Sequence, residues 1–219
     1  MIRYRFAHRG GAHGQANTLD TFAAALAMGA TGLETDAWRS LDGAVILDHD
    51  GVLPGTREPI AGLPRDRLPA YMPTLDDLYE RCGTDFDLAI DVKDTAVATA
   101  IVNVARRFEA SYRLWLVEPA SSAPTPLELG GAHRAVTIRG NVLRSPRRQA
   151  VVAQARAAGV EALNARWLWW SRALVAETHA LGMLAFGYDA QRRLSLDRCA
   201  RIGLDAVFSD RVAPLLATR

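Results

Sequence analysis

Two histidines stand just after short apolar runs, His8 in RYRFAHRGG and His49 in GAVILDHDG. Between them lies Glu34-Thr35-Asp36, and farther along FDLAIDVK supplies Asp91 and Lys93. Imidazoles take and give protons near neutral pH, carboxylates hold cations, and Arg9 and Lys93 are donors suited to a phosphate or carboxylate. Each residue taken alone has a plain structural reading: a histidine hydrogen-bonded in a glycine-rich turn, a solvated strand end, an Asp91–Lys93 ion pair. Their convergence is what would make chemistry. Three carboxylates in apolar strand settings repel one another unless a cation, or the neighbouring lysine, neutralises them. A hard divalent ion, Mg²⁺ or Ca²⁺, bound through oxygens meets that need.

For these groups to meet, the elements carrying them must end at one place. Short apolar runs alternate with helical patterns, the rhythm of strand–helix units around a parallel sheet. Strand-like runs fall at 5–8, 32–36, 44–49, 86–91, 113–117, 135–138, 162–164, 184–187 and 206–208, one more than an eight-stranded barrel needs. TLDTFAAALAMG puts Leu19, Phe22, Ala23 and Leu26 on one face, with Thr18 as N-cap and Gly29 as the stop. TLDDLYERCG, RQAVVAQARAAG, SRALVAETHALG and SLDRCARIG repeat the pattern and also end at glycine. In a parallel barrel or a doubly wound sheet the active site lies at the carboxyl ends of the strands. Side chains alternate along a strand, so Glu34 and Asp36 share a face, as do Asp91 and Lys93.

One connection is too short for a parallel crossover, since AWRSLDG alone separates Asp36 from Ala44. The expected path runs back down through AWRS, turns at DG and climbs again through AVILDHD, bringing His49 to the end that holds Glu34 and Asp36. Residues 51–73, rich in proline and glycine and without periodicity, form a long loop beside that end and are a candidate lid or rim.

Composition narrows the remaining choices. A chain of 219 residues, 49% hydrophobic, suits one domain with a full core. The net charge of +2 comes without a basic arm, so nothing points to nucleic acid, and oligomeric state is not legible. Cys82 and Cys199 sit far apart in helical segments and read as core fillers. No run approaches the roughly 18 apolar residues of a membrane span, and the N-terminus has no secretory pattern, so a cytoplasmic location is expected. HRGGAHG lacks both a Lys-Ser/Thr after its glycines and a dinucleotide fingerprint, which argues against a phosphate-cradling loop.

The ordered motifs HRGGAHGQANTLDTF, GLETDAW, LDGAVILDHDG, MPTLDDLYE and LAIDVK resemble the glycerophosphodiester phosphodiesterase family. The resemblance covers 6–93 closely and resumes at LGMLAFGYD and GLDAVFSDR. It implies one TIM-type (β/α)8 barrel over 1–219, a divalent metal, Mg²⁺ or Ca²⁺, and hydrolysis of a small-molecule phosphodiester. Carried over residue by residue, it assigns the metal to Glu34, Asp36 and Asp91, catalysis to His8 and His49, and phosphate contacts to Arg9 and Lys93.

The chain also departs from the family pattern. Its Glu-Asn-Thr is here Ala16-Asn17-Thr18, and the fourth-strand Glu is Asp91, one methylene shorter. A family tryptophan becomes Phe186, a candidate pocket wall. Glu118, ending RLWLVE, is an extra acid that either reaches the site or sits solvated on the rim. An aspartate followed two residues on by lysine also resembles the sphingomyelinase D group, which keeps a lysophospholipase D-like reading open beside a non-catalytic, phosphate-binding one. A non-catalytic barrel would have no use for two histidines, Arg9 and three carboxylates together. Trp167, Trp169 and Trp170 either line a pocket, touch a membrane interface or pack under the rim. His13 reads as a surface histidine, His133 and His179 as structural, and Arg147 and Arg148 as a helix start.

Overall fold

The computed structural model describes residues 2–93, 95–120 and 128–218. Eight parallel strands close a barrel in the order β1 (Tyr4–His8), β2 (Gly32–Arg39), β4 (Asp87–Val92), β5 (Leu114–Pro119), β6 (His133–Thr137), β7 (Ala162–Arg166), β8 (Leu184–Tyr188) and β9 (Ala206–Ser209), which pairs back onto β1. The remaining strand, β3 (Val45–Leu47), pairs antiparallel with β2. The single-domain TIM barrel expected from the sequence is the observed architecture.

Alternation along each strand divides the core in two. Inward residues Tyr4, Phe6, Ala89, Trp115, Phe186 and Phe208 fill the barrel, with Phe6 stacked 4.7 Å from Phe208 and Trp115 edge-on to Phe186 at 4.9 Å. Such a plug makes the barrel a packed core and leaves room for a site only above it. Outward residues Leu33, Leu88, Ile90 and Leu116 pack against the first helices, α1 (Leu19–Ala27), α2 (Leu75–Cys82) and α3 (Thr95–Arg107). Leu163, Ala185 and Val207 do the same for the later ones, which include α5 (Arg148–Ala157), α6 (Arg172–Ala180) and α7 (Arg193–Ile202). Between β6 and α5 lies one short turn of helix, α4 (Gly140–Leu143), and α8 (Val212–Leu216) closes the chain. Thr18 caps α1 by accepting from the Thr21 amide, and Thr74 with Asp77 forms a capping box on α2.

The short connection follows a different path from the one expected. The chain does not turn back after Asp36; β2 continues upward to Arg39, turns at Ser40–Gly43, and β3 descends beside it with Trp38 opposite Ile46. An antiparallel partner needs only a tight turn, whereas a parallel one needs a crossover of a dozen residues. The turn is held by Ser40 Oγ donating to Asp42 at 2.5 Å and by the Ala44 amide donating to Ser40 Oγ at 2.9 Å. The hairpin therefore rises above the barrel mouth, and its descending arm still delivers His49 there. Residues 51–73 are not a loose lid. Ile60, Leu63, Leu68 and Met72 form a small core with Ile46 against the hairpin.

Gly32 marks where β2 passes closest to the plug. A Cβ there would lie 2.9 Å from both Phe6 Cδ1 and the Arg5 carbonyl oxygen. Gly32→Ala is expected to lower the unfolding free energy by about 1–3 kcal/mol, because backbone and a packed ring must both give way; chemical denaturation with unchanged stability would show that β1 accommodates the methyl.

Candidate active site

The carboxyl ends of the strands surround a cavity of about 270 Å³ lined by His8, Arg9, Glu34, Asp36, His49, Asp91 and Lys93. Above the aromatic plug its remaining walls are Val117, Thr137, Asn164, Tyr188 and Phe208. A larger groove of about 790 Å³ lies outside the barrel between α5 and α6, and no mouth residue lines it.

The first turn of chain after β1 is shaped by its partner strand. Arg9 sits in the left-handed region (φ +51°), followed by Gly10 and Gly11 at +80° and +93°. A non-glycine residue held there is strained, and such strain persists only where surrounding contacts enforce it. Here the Arg9 amide donates to Glu34 Oε2 at 3.1 Å, the Arg9 carbonyl accepts from the Asn17 amide at 3.1 Å, and Arg9 Nε lies 3.2 Å from Asp36 Oδ2. Gly10 has no room for a side chain, since a Cβ would come within 2.8 Å of Thr21 Cγ2.

Glu34 and Asp36 are almost fully buried, and Lys93 bridges the second to the fourth strand. Its Nζ lies 2.8 Å from Asp36 Oδ1 and 2.6 Å from Asp91 Oδ2. Burial alone would discharge Lys93, but the Asp91 and Asp36 charges outweigh it and raise its pKa. Asn17 adds a third partner to Asp36, its Nδ2 3.4 Å from Oδ2, while its Oδ1 accepts from Thr35 Oγ1 at 2.9 Å. The neighbouring Ala16, where the family pattern has an acid, is exposed and lines no part of the cavity.

Glu34 is in the opposite situation. Among the described residues its one hydrogen bond is from the Arg9 amide, and its one ion-pair contact is with His8 Nε2 at 3.8 Å. Burial, reinforced by the Asp36 and Asp91 charges and opposed by His8, pushes its pKa up to about 7. Its carboxylate oxygens, with those of Asp36 and Asp91, are a donor set whose chemistry fits a hard divalent cation. They are not a closed cage: among the described residues no three acidic, histidine or cysteine side chains converge as they stand on a common metal position. Lys93 occupies the facing oxygens of the two aspartates, so an ion would share them with it.

Each histidine has a carboxylate on Nδ1. His8 Nδ1 is 2.5 Å from Asp210 Oδ1, and His49 Nδ1 is 2.7 Å from Asp50 Oδ1. Such contacts fix the ring and leave Nε2 as the atom available for proton transfer. Asp210 is itself fixed by Gln191, whose Nε2 donates to Oδ2 at 2.7 Å and whose Oε1 accepts from the Asp210 amide at 2.9 Å. Burial works against a charged His8, but the Asp210 hydrogen bond and the Glu34 charge overcome it and raise the pKa; the same hydrogen bond lowers that of Asp210.

Two candidates from the sequence lie elsewhere. Glu118 follows Val117, which faces the cavity, so it points outward, where Arg134 Nε and Nη2 both donate to its Oε2 at 2.9 and 2.5 Å. Phe186 is wholly buried in the aromatic plug one layer below the cavity, and Tyr188, two residues on, forms that wall. Asp210 was missed as a site residue, although it follows the last strand run, and polar residues just beyond strand ends are the ones a barrel mouth collects. Asn164, the last residue of its predicted strand, carried the same signal.

At the carboxyl ends of the strands of this closed parallel barrel, two imidazoles, three carboxylates and two basic side chains share one cavity. Residues 8–213 match the family model described as the glycerophosphoryl diester phosphodiesterase family, and the chain belongs to that family. Among curated proteins none matches it in sequence. In three dimensions it is similar to a glycerophosphodiester phosphodiesterase from Thermotoga maritima (19% identity, TM-score 0.81, covering 100% of this chain and 99% of that one). It is also similar to a phosphodiesterase from Oleispira antarctica solved with the product sn-glycerol-3-phosphate (20%, 0.80, 99% and 96%). A glycerophosphodiester phosphodiesterase from Agrobacterium tumefaciens matches over 100% of both chains at 17% identity with a TM-score of 0.79.

Asp210→Asn removes the partner that holds the His8 pKa up. The imidazole pKa followed by NMR is expected to fall, because burial then dominates; an unchanged titration would show that Asp210 does not govern the ring.

Proposed function

We propose that the protein hydrolyses glycerophosphodiesters to an alcohol and glycerol phosphate, with His8 and His49 as the general acid–base pair. The observation that carries this reading is the pairing itself: two imidazoles on one cavity, each fixed through Nδ1 by a carboxylate, with Arg9 and Lys93 beside them. Family membership and the glycerol phosphate bound to the similar O. antarctica phosphodiesterase support the substrate class.

A phosphodiester carries one negative charge that grows as the attacking oxygen approaches phosphorus. Donors aimed at the non-bridging oxygens therefore bind the transition state more tightly than the substrate. Lys93 has a third N–H beyond those facing Asp36 and Asp91, and Arg9 has its terminal nitrogens beyond the Nε beside Asp36. Nε2 of one histidine takes the proton from the attacking oxygen, which is either water or the substrate's own glycerol hydroxyl; in the second case a cyclic phosphate forms and water then opens it to glycerol phosphate, with the two histidines in exchanged roles. Nε2 of the other gives a proton to the departing alkoxide. Asp210 and Asp50 keep the Nδ1 proton in place and stabilise each imidazolium as it forms. Glu34, Asp36 and Asp91 would hold Mg²⁺ or Ca²⁺, which when bound supplies positive charge to the phosphate oxygens. Two free cysteines and the absence, among the described residues, of a helix long and apolar enough to cross a membrane accord with a cytoplasmic enzyme.

His8→Ala and His49→Ala are each expected to lower kcat at least about 100-fold with the circular dichroism spectrum unchanged. Assays on glycerophosphocholine, glycerophosphoethanolamine, glycerophosphoinositol and bis(p-nitrophenyl) phosphate check this, and full activity in either variant overturns the mechanism. EDTA should abolish turnover and added Mg²⁺ or Ca²⁺ restore it, whereas undiminished activity in metal-free protein would refute the carboxylate assignment.

A further inference from the structure

The sector of the mouth formed by β6, β7 and β8 has a surface that the chemistry above does not use. The connection after β7 turns through Trp167–Trp169, leaving Leu168 47% exposed and both tryptophans half-buried. Beside it α7 begins with Leu194, 79% exposed, the most exposed large apolar side chain among the described residues. Leu194 and Arg198 lie one turn apart on one face of α7, and the Arg198 guanidinium sits 5.3 Å over the Trp167 ring, joining the two segments. Trp170 is pinned beneath, its Nε1 donating to the Phe186 carbonyl at 2.8 Å, so the projecting tip has a rigid base.

Near this tip Arg166 pairs with Asp189 and Arg193 with Asp197. Arg139, Arg144 and Arg147, on the connection that leaves β6, are exposed and form no ion pair among the described residues. The helices α5, α6 and α7 carry no acid in the first turn, where α1 and α2 have Asp20, Asp76 and Asp77. Arg147, the N-cap of α5, sits at the positive end of that helix and opposes its backbone dipole. An anionic partner at this face would offset that cost.

We propose that this rim docks on an anionic lipid bilayer. Isolated aliphatic tips, tryptophans at intermediate depth and surrounding arginines are the components of an interfacial anchor. Nucleic acid would use the positive charge but not Leu168 or Leu194, which offer no ring for a base to stack on. The cavity opens on the same face, its wall residues Thr137, Asn164 and Tyr188 lying at or near the ends of the strands that lead into the rim. The docking stands apart from the hydrolytic reading.

Sedimentation with vesicles of equal phosphatidylglycerol and phosphatidylcholine, and with phosphatidylcholine alone, tests the surface. Wild-type protein should bind the anionic vesicles, not the neutral ones, and be released by about 0.5 M NaCl. Combined Arg139→Gln, Arg144→Gln and Arg147→Gln should weaken binding roughly 100-fold, and Leu168→Gln with Leu194→Gln roughly tenfold. Turnover of soluble bis(p-nitrophenyl) phosphate should be unchanged in every variant. Wild-type protein left in the supernatant, variants that bind as well as wild type, or displacement from vesicles by an RNA oligonucleotide that binds the leucine variant undiminished would overturn the docking. Vesicle binding without hydrolysis of any diester would sink the catalytic reading alone, and hydrolysis of the soluble diester with no vesicle binding would sink this one alone.

Discussion

Asp36 carries a charge at 2% exposure on top of an aromatic plug, and much of the mouth is arranged around neutralising it. An isolated carboxylate there would cost several kcal/mol in lost solvation. Three chain segments converge to prevent this: Lys93 from the end of β4, Arg9 from the turn after β1, and Asn17 from the start of α1. Bringing Arg9 into place requires the left-handed backbone at 9–11, and that turn in turn brings its amide to Glu34. A conformational cost near the first strand is thus tied to electrostatics on the second.

The same two carboxylates divide the labour of the mouth. Asp36 is saturated with donors and acts as the fixed point on which Lys93 and Arg9 are held. Among the described residues Glu34 has one amide and an imidazole 3.8 Å away, and burial, reinforced by the other two carboxylates, raises its pKa. The two histidines are each paired with an aspartate of their own, and His8 also approaches Glu34 at 3.8 Å.

Much of this was legible in the sequence because it is local. The period of two along a strand placed Glu34 with Asp36 and Asp91 with Lys93, and apolar runs alternating with glycine-stopped helices indicated the parallel architecture. The ordered motifs then pointed to the family. Departures at Ala16 and Asp91 proved undramatic in position: the first is exposed, and the second pairs in register with Asp36 across β2 and β4.

What lay beyond the sequence is what depends on register and closure. Whether Glu118 faced in or out turned on which residue of β5 began the inward phase, and Leu116 opposite Arg134 settled it by giving the glutamate a cross-strand partner outside. Phe186 and Tyr188 share a face, but only the height of β8 in the barrel put one in the plug and the other on the cavity. The hairpin after Asp36 rose instead of falling because a free edge on β2 above the rim was available for antiparallel pairing. Asp210 reached His8 across 202 residues because β9 closes onto β1. Residue types and their spacing determined which chemical groups this chain has and which of them share a strand face. Closure of the barrel decided which strand ends meet, since that contact joins residues from opposite ends of the chain and leaves no local pattern to read.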